Sequence, residues 1–242
     1  MQVIETSIKI ADNLSLGEFE RSILSWIKRA KGLNYQGMIL DITGNADDSE
    51  KINIIKEIRN QNHDFTIFTR CTCKFNERKS IKDDLNNIRV KLKVDCIAIR
   101  SNNQDVLNFI AKDSRVDIIK LEDYEARECF TVGVASLASQ AGVFVELPID
   151  QLILARGTAR SKIIRSFKKI IEKCENKRTN LLLSSDATNF FGLKNPWQKA
   201  ITLGLLLDSN RQLMRKIIYK NPYQLISKIQ NYSHIIIKEV EE

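Results

Sequence analysis

Two hydrophobic periods alternate along the chain. Short β-rich runs occupy residues 3–10, 37–42, 65–73, 94–100, 116–121, 143–147 and 180–185. Several of them, such as Gly37-Met38-Ile39-Leu40-Asp41-Ile42 and Asn180-Leu181-Leu182-Leu183, are apolar almost without a break. That is the pattern of a parallel strand covered by protein on both faces. Between these runs, apolar residues recur at helical spacing. Over 15–31, Phe19, Ile23, Ile27 and Ala30 share one face, Ser15 and Glu18 form a capping-box signature, and Gly32 follows the predicted end. Over 80–92, Ile81, Leu85, Ile88 and Leu92 form a stripe, with Ser80 placed as N-cap. Residues 125–141 and 159–174 repeat the pattern. Asn195-Pro196 supplies an N-cap followed by proline at the first helical position.

The strand starts recur roughly every 30 residues, the length of a βα unit. Seven such units predict a single α/β domain over residues 1–242, a TIM-like β/α barrel with about seven or eight strands. Periodicity alone also accommodates an open doubly wound sheet. After Ser185 the chain reads as mainly helical, and Ile235-Ile236-Ile237 is left either to close the barrel or to pack outside it.

Composition changes this picture little. The chain is 43% hydrophobic and 28% charged, with 9 Gly and 3 Pro, which leaves little room for a disordered tail. No run is long and apolar enough to span a bilayer, and residues 1–10 alternate and include Glu5 and Lys9, unlike a signal peptide. Five cysteines without framework spacing point to a reducing compartment. The expectation is a soluble, cytoplasmic protein.

Charge changes it more. The formal net charge is +8, but residues 1–150 hold 21 Lys/Arg against 23 Asp/Glu, whereas residues 151–242 hold 17 against 7. The excess therefore belongs to the last two-fifths of the chain. A face meant for a polyanion has this asymmetry, because neutralising phosphates releases condensed counterions; so does a basic face with no nucleic-acid partner. The densest tract runs from Arg156 to Arg178, with nine basic residues against Glu172 and Glu175. On a helix, Ile163, Ile164, Phe167, Ile170, Ile171 and Cys174 line the inner face, and Arg165, Lys168, Lys169 and Lys173 share the outer one. A basic amphipathic helix also suits an acidic membrane, but a barrel needs that apolar stripe to dock the helix on its sheet. No membrane partner is expected. Arginines 156, 160 and 165 can grip phosphates bidentately.

In a β/α barrel, function sits at the C-terminal ends of the strands. Those positions carry Asp41, Arg70, Arg100, Lys120, Glu146 and Ser184-Ser185-Asp186. A ring of cations there repels itself unless an anion or interleaved carboxylates compensate it. The candidate RNA contacts are therefore Arg70, Arg100, Lys120, Arg156, Arg160, Arg165, Lys168, Lys169 and Lys173. No catalytic and no metal-ligating residue is predicted. A metal hydrolase on this fold gathers several His with carboxylates at the mouth, and this chain has two: His63, in the turn entering the third strand, and His234, in the tail. Cys71 and Cys73 face the same way, but no second pair or nearby His supports zinc. Trp26 and Trp197 fall within helical patterns as packing residues. With aromatics at 7% and no aromatic-bearing RNA motif, base stacking is not indicated.

The second half of the chain resembles a known family. Arg115-Val116-Asp117-Ile118-Ile119, Gly142-Val143-Phe144-Val145-Glu146-Leu147, Ala159-Arg160, Ser184-Ser185-Asp186-Ala187, Leu193-Lys194-Asn195-Pro196-Trp197, Gly204-Leu205 and Asn221-Pro222 follow in the order found in protein component 3 of archaeal ribonuclease P, whose eukaryotic counterpart is the thirty-kilodalton subunit. Over the N-terminal third the match is in βα rhythm alone. The resemblance implies a TIM-like barrel related to the polymerase-and-histidinol-phosphatase metal hydrolases but lacking their metal centre. In those enzymes a ligand His follows the Ser-Asp-Ala run, and here Thr188 stands in its place. It further implies a non-catalytic subunit that binds no cofactor and supports ribonuclease P RNA, which uses Mg²⁺ to remove 5′ leaders from precursor tRNA. Its implied partners are that RNA, the small RRM-like component 2 and, indirectly, precursor tRNA. The alternative is a metal-dependent phosphoesterase of the related superfamily.

Overall fold

The computed structural model describes residues 3–240 apart from 12, 43–47 and 80, and of residues 48 and 232–240 it describes the backbone alone. Seven strands alternate with helices: β1 (Ile4–Lys9), α1 (Leu16–Gly32), β2 (Gly37–Ile42), α2 (Asp48–Gln61), β3 (Thr66–Lys74), α3 (Ile81–Asn87), β4 (Cys96–Arg100), α4 (Gln104–Ile110), β5 (Ile118–Lys120), α5 (Tyr124–Cys129), α6 (Val132–Ala141), β6 (Phe144–Pro148), α7 (Asp150–Leu154), α8 (Gly157–Lys177) and β7 (Leu181–Ser184). Then come α9 (Pro196–Ile201), α10 (Arg211–Arg215) and α11 (Asn221–Val240), and wider π-helical turns extend α3, α9 and α10 over Ile88–Leu92, Thr202–Leu206 and Lys216–Lys220.

The strands pair in sequence order, all parallel, in one sheet. A parallel bridge between Ile8 and Ala187, with Lys9 N–H donating to the Ala187 carbonyl at 2.9 Å, brings the last strand's extension back to the first. The result is a nearly closed seven-stranded barrel. No eighth strand occurs among the described residues: past Ala187 a loop leads into helices from Pro196 onward, and Ile235-Ile236-Ile237 has helical backbone within α11.

Alternation along each strand divides the core in two. Outward residues such as Met38, Leu40, Ile67, Ile97, Ile119 and Val145 join the helix faces in one large apolar cluster. Inward residues form a second: Ile4, Ile39, Phe68, Cys96, Ala98, Ile118, Phe144 and Leu182, closed from below by Leu225, Ile226 and Ile229 of α11. α11 therefore stoppers the N-terminal end of the barrel, and Lys228 ties it there by donating to the carbonyls of Val116 and Gly142 at 3.1 and 3.2 Å. Gly37 is needed where β2 enters, because a Cβ would lie 2.7 Å from both Ile4 Cδ1 and the Thr66 carbonyl oxygen.

Some local expectations are revised. Glu18 accepts from the Ser15 N–H at 2.9 Å as the capping box requires, but Gly32 is the last residue of α1 and Asn34 takes the left-handed turn at φ 64°. The stretch 125–141 is two helices, broken at Phe130, which is extended and buried, and restarted by Thr131, whose hydroxyl accepts from Val134 N–H. Ser80 lies outside the described residues. Asn195 caps α9 as expected, its side chain accepting from Gln198 N–H at 2.7 Å. Trp26 is buried, but Trp197 is 71% exposed and forms with Ile201 and Leu205 an outward apolar row four residues apart. Trp197 is not a packing residue. No helix of the described residues is long and apolar enough to cross a membrane.

Candidate functional site

Two residues beyond the apolar layer on each strand, the barrel interior turns polar. Thr6, Asp41, Arg70, Lys120, Glu146 and Ser184 come from β1, β2, β3, β5, β6 and β7, all buried. Arg70 is the centre of this layer. Its two terminal nitrogens donate to the Glu146 carboxylate at 2.9 and 2.6 Å, one also donates to the Thr6 carbonyl at 3.0 Å, and Nε faces Asp41 at 3.4 Å and Thr72 Oγ1 at 3.0 Å. Thr72 in turn donates to Asp41 at 2.6 Å.

Above this layer lies Asp186, held where the chain leaves β7 at φ 49°. Lys120 Nζ reaches one of its oxygens at 2.8 Å, Lys9 Nζ the other at 2.9 Å, and Ser7 donates to it at 2.8 Å. Lys9 also meets Glu122 at 3.3 Å, and Glu122 pairs with Arg100 at the rim. A cavity of about 370 Å³ opens here, lined by Lys9, Asp41, Thr72, Arg100, Lys120 and Thr188 among others.

These contacts set the protonation states. Burial opposes ionisation of Asp186, yet the Lys120 and Lys9 ammonium groups hold its carboxyl well below the usual carboxylate range. Burial of Lys9 is likewise outweighed by Asp186 and Glu122, which keep it protonated. Asp41 is different: burial pushes its carboxyl up against the pull of Arg70 and Lys120. Asp150, at the start of α7, is pushed up to about 6 by burial and by the charge of Asp186.

A divalent cation at this mouth needs open carboxylate oxygens. Asp186 spends both on ammonium groups and Glu146 both on a guanidinium, so the residues present do not fit a metal centre. Among the described residues no group of three or more His, Cys, Asp or Glu is arranged to hold a metal ion. His63 is exposed in the turn before β3, at the far end of the barrel. The Cys71 and Cys73 sulfurs lie 3.5 Å apart, with Cys71 buried against the helices.

The expected RNA contacts divide accordingly. Arg70 and Lys120 are 0% exposed and ion-paired inside the barrel, so they do not touch RNA. Both were assigned on position at the strand ends, but alternation turns them inward. Arg100 stays at the rim, paired with Glu122. Arg156, at the N-cap of α8, and Arg160, Arg165 and Lys169 on it are exposed; Lys168 bridges to Asp208, and Lys173 donates to the Phe130 carbonyl at 2.7 Å. Phe167, Ile170, Ile171 and Cys174 form the buried face of α8, with Ile163 and Ile164 half-buried. Four of the nine expected contacts are therefore exposed on, or at the N-cap of, one 21-residue helix.

Sequence reasoning missed Lys9, Ser7 and Glu122 at the mouth, and a second polar cluster outside the barrel. There Glu5 receives Lys199 Nζ at 2.6 Å, Ser185 Oγ at 2.6 Å and Tyr35 OH at 3.1 Å, tying α9 to β1. The available signal was a carboxylate within a predicted strand, which burial leaves in need of a partner.

Comparison with known proteins adds to this geometry. A family model described as RNase P subunit p30 matches residues 4–234. The chain is similar to ribonuclease P protein component 3 of Methanococcus maripaludis strain C6, 23% identical over 89% of this chain and 93% of that protein. The corresponding protein of Methanococcoides burtonii is 24% identical, the match covering 62% of this chain and 61% of that protein's length. Among solved structures, the fold matches a chain of archaeal ribonuclease P with mature tRNA at TM-score 0.76 and 17% identity, covering 94% of this chain and 91% of that one. An organophosphorus hydrolase variant from Deinococcus radiodurans matches at TM-score 0.55 and 9% identity, over 93% and 92%. At these identities the structural likenesses establish the barrel fold.

Proposed function

The chain belongs to the RNase P subunit p30 family, and from that premise we propose that it acts as a protein subunit of ribonuclease P, lending counter-charge to the catalytic RNA and no reactive group of its own. The observation that carries this reading is the contrast between mouth and outer surface. The mouth cations are matched by carboxylates, whereas α8 presents Arg156, Arg160, Arg165 and Lys169 to solvent. Cations on a rigid helix neutralise phosphates and hold register without reading bases. In this reading Mg²⁺ belongs to the RNA, the substrate is precursor tRNA trimmed at its 5′ end, and the site of action is cytoplasmic.

A protein partner is part of the same reading. We assign this role to the small RRM-like component 2. The exposed row of Trp197, Ile201 and Leu205 supports a protein contact, because large apolar side chains on successive turns are what interfaces cover. No feature of the mouth favours the phosphoesterase alternative.

The test is reconstitution with a ribonuclease P RNA and component 2 at limiting Mg²⁺. The chain is expected to raise the rate of 5′-leader cleavage as an authentic component 3 does under the same conditions. Absence of stimulation, or turnover of a phosphate ester by the isolated chain with a tightly bound metal, overturns the reading.

A further inference from the structure

The last helical stretch carries a feature that the proposed function does not use. From Ser209 to Lys238 the sequence contains no Asp or Glu, while Arg211, Arg215, Lys216, Lys220, Lys228 and Lys238 fall within it. The backbone is helical from α10 through the π-helical turn into α11, with Pro222 at the junction. Residues four apart then lie in rows along one side. One row is Arg215, Tyr219 and Tyr223; the neighbouring row is Gln212, Lys216, Lys220 and Gln224.

Both rows line a groove of about 1230 Å³, with Ile226 and Gln230 at its far end. None of its lining residues among the described residues is acidic. Arg215 and Lys220 are exposed, Tyr223 is 48% exposed, and Tyr219 is half-buried. This places a line of cations beside a line of tyrosines, the pairing that tracks a phosphate backbone while bases lie on aromatic faces. A duplex keeps its bases stacked on one another and leaves such faces unused. An acidic peptide satisfies the cations but not the aromatic row.

Contrary to the expectation from aromatic content, we propose that this groove binds a single-stranded RNA segment, with Arg215, Lys216 and Lys220 on its phosphates and Tyr223 stacked on a base. The groove neighbours α8 through Lys216, whose charge acts on the Cys174 thiol on the buried face of that helix. The inference deepens the ribonuclease P reading by giving the subunit a contact for unpaired RNA next to its phosphate-binding helix.

The experiment uses the full chain and two fluorescein-labelled probes, an oligouridine of roughly 12 nucleotides, within the span of known stacking grooves, and a duplex RNA of equal length. Tyr223→Ala, at an exposed position, is expected to weaken oligouridine binding at least about fivefold while changing duplex binding by less than about twofold. Tyr223→Phe keeps the stacking face and is expected to stay within about twofold of the parent. Lys220→Ala weakens both probes and lowers the salt slope by about one. Unchanged oligouridine binding by Tyr223→Ala, or displacement of the probe by polyglutamate as effectively as by unlabelled RNA, overturns the proposal. Measured in parallel, Arg160→Glu with Arg165→Glu separates the two readings. If that pair weakens binding and Tyr223→Ala does not, the groove assignment falls and the subunit reading stands. If Tyr223→Ala weakens binding but reconstitution fails, the groove stands alone.

Discussion

Arg70 and Glu146 meet inside the barrel with no exposure to water, joined by two hydrogen bonds of 2.9 and 2.6 Å. Desolvating such a pair costs much of what the attraction returns, so its net worth is small, yet removing one partner strands the other. Glu146→Gln is therefore expected to destabilise the protein by about 3–5 kcal/mol. Replacing both residues, Arg70→Met with Glu146→Leu, is expected to cost far less, and urea denaturation of the cycle measures the difference. Asp150 tests the same field by pH. Burial and Asp186 raise its carboxyl to about 6 in the folded protein, above the ordinary value near 4. The folded state then binds the proton more tightly than the unfolded one, so stability is fully present below about pH 4 and lost as pH rises through about 6. Asp150→Asn is expected to stabilise the protein by about 1–2 kcal/mol at pH 7, allowing for partial solvation, and by nothing at pH 4. Denaturation midpoints at the two pH values check this; an equal gain at both refutes it. Asp186 works oppositely, its lowered value adding stability that is lost only as pH falls through the acid range.

At the scale of elements, α8 is the piece whose role rests on its surface. Its inner face packs through Phe167, Ile170, Ile171 and Cys174, so charge reversal outside leaves the packing untouched. Arg160→Glu with Arg165→Glu is expected to leave the melting temperature nearly unchanged. The same pair is expected to weaken RNA binding by about tenfold or more and to reduce the salt slope by about two. Fluorescence anisotropy across a salt series reads both, and an unchanged slope removes α8 from the interface. This helix was legible because its apolar stripe and its charges obey one period. Several strands, β2 and β7 among them, were legible for a similar reason, since a parallel strand buried on both faces leaves a nearly unbroken apolar run; β1 and β3, broken by polar residues, were placed by the βα repeat. The breaks were not. Phe130 interrupts a periodic stretch because the Thr131 hydroxyl starts a new helix, a local competition that hydrophobic spacing does not register. Trp197 was misplaced for the opposite reason: helical spacing says that residues share a face, not that the face is covered.

At the scale of the whole molecule, the two ends of the barrel differ in chemistry. Ion pairs line the C-terminal mouth, and Leu225, Ile226 and Ile229 of α11 fill the N-terminal end. With the mouth cations matched by carboxylates, the unmatched positive charge lies on the outer surface, where the last two-fifths of the chain concentrates it. Which strand-end residues face inward follows from register and closure, so Arg70 and Lys120 looked like surface cations until the barrel turned them towards Glu146 and Asp186. The N-terminal stopper had no sequence signal beyond a helical tail, because the layer it covers is assembled from every strand. If α11 completes the barrel and is not an appendage, its loss of packing must be felt globally. Ile229→Ala, at a site 1% exposed, is expected to cost about 2–4 kcal/mol. For a domain of this size that lowers the melting temperature by roughly 4–16 °C. The transition should stay single, with circular dichroism and tryptophan fluorescence moving together. A separate early transition, with the barrel melting at its original temperature, contradicts the stopper role.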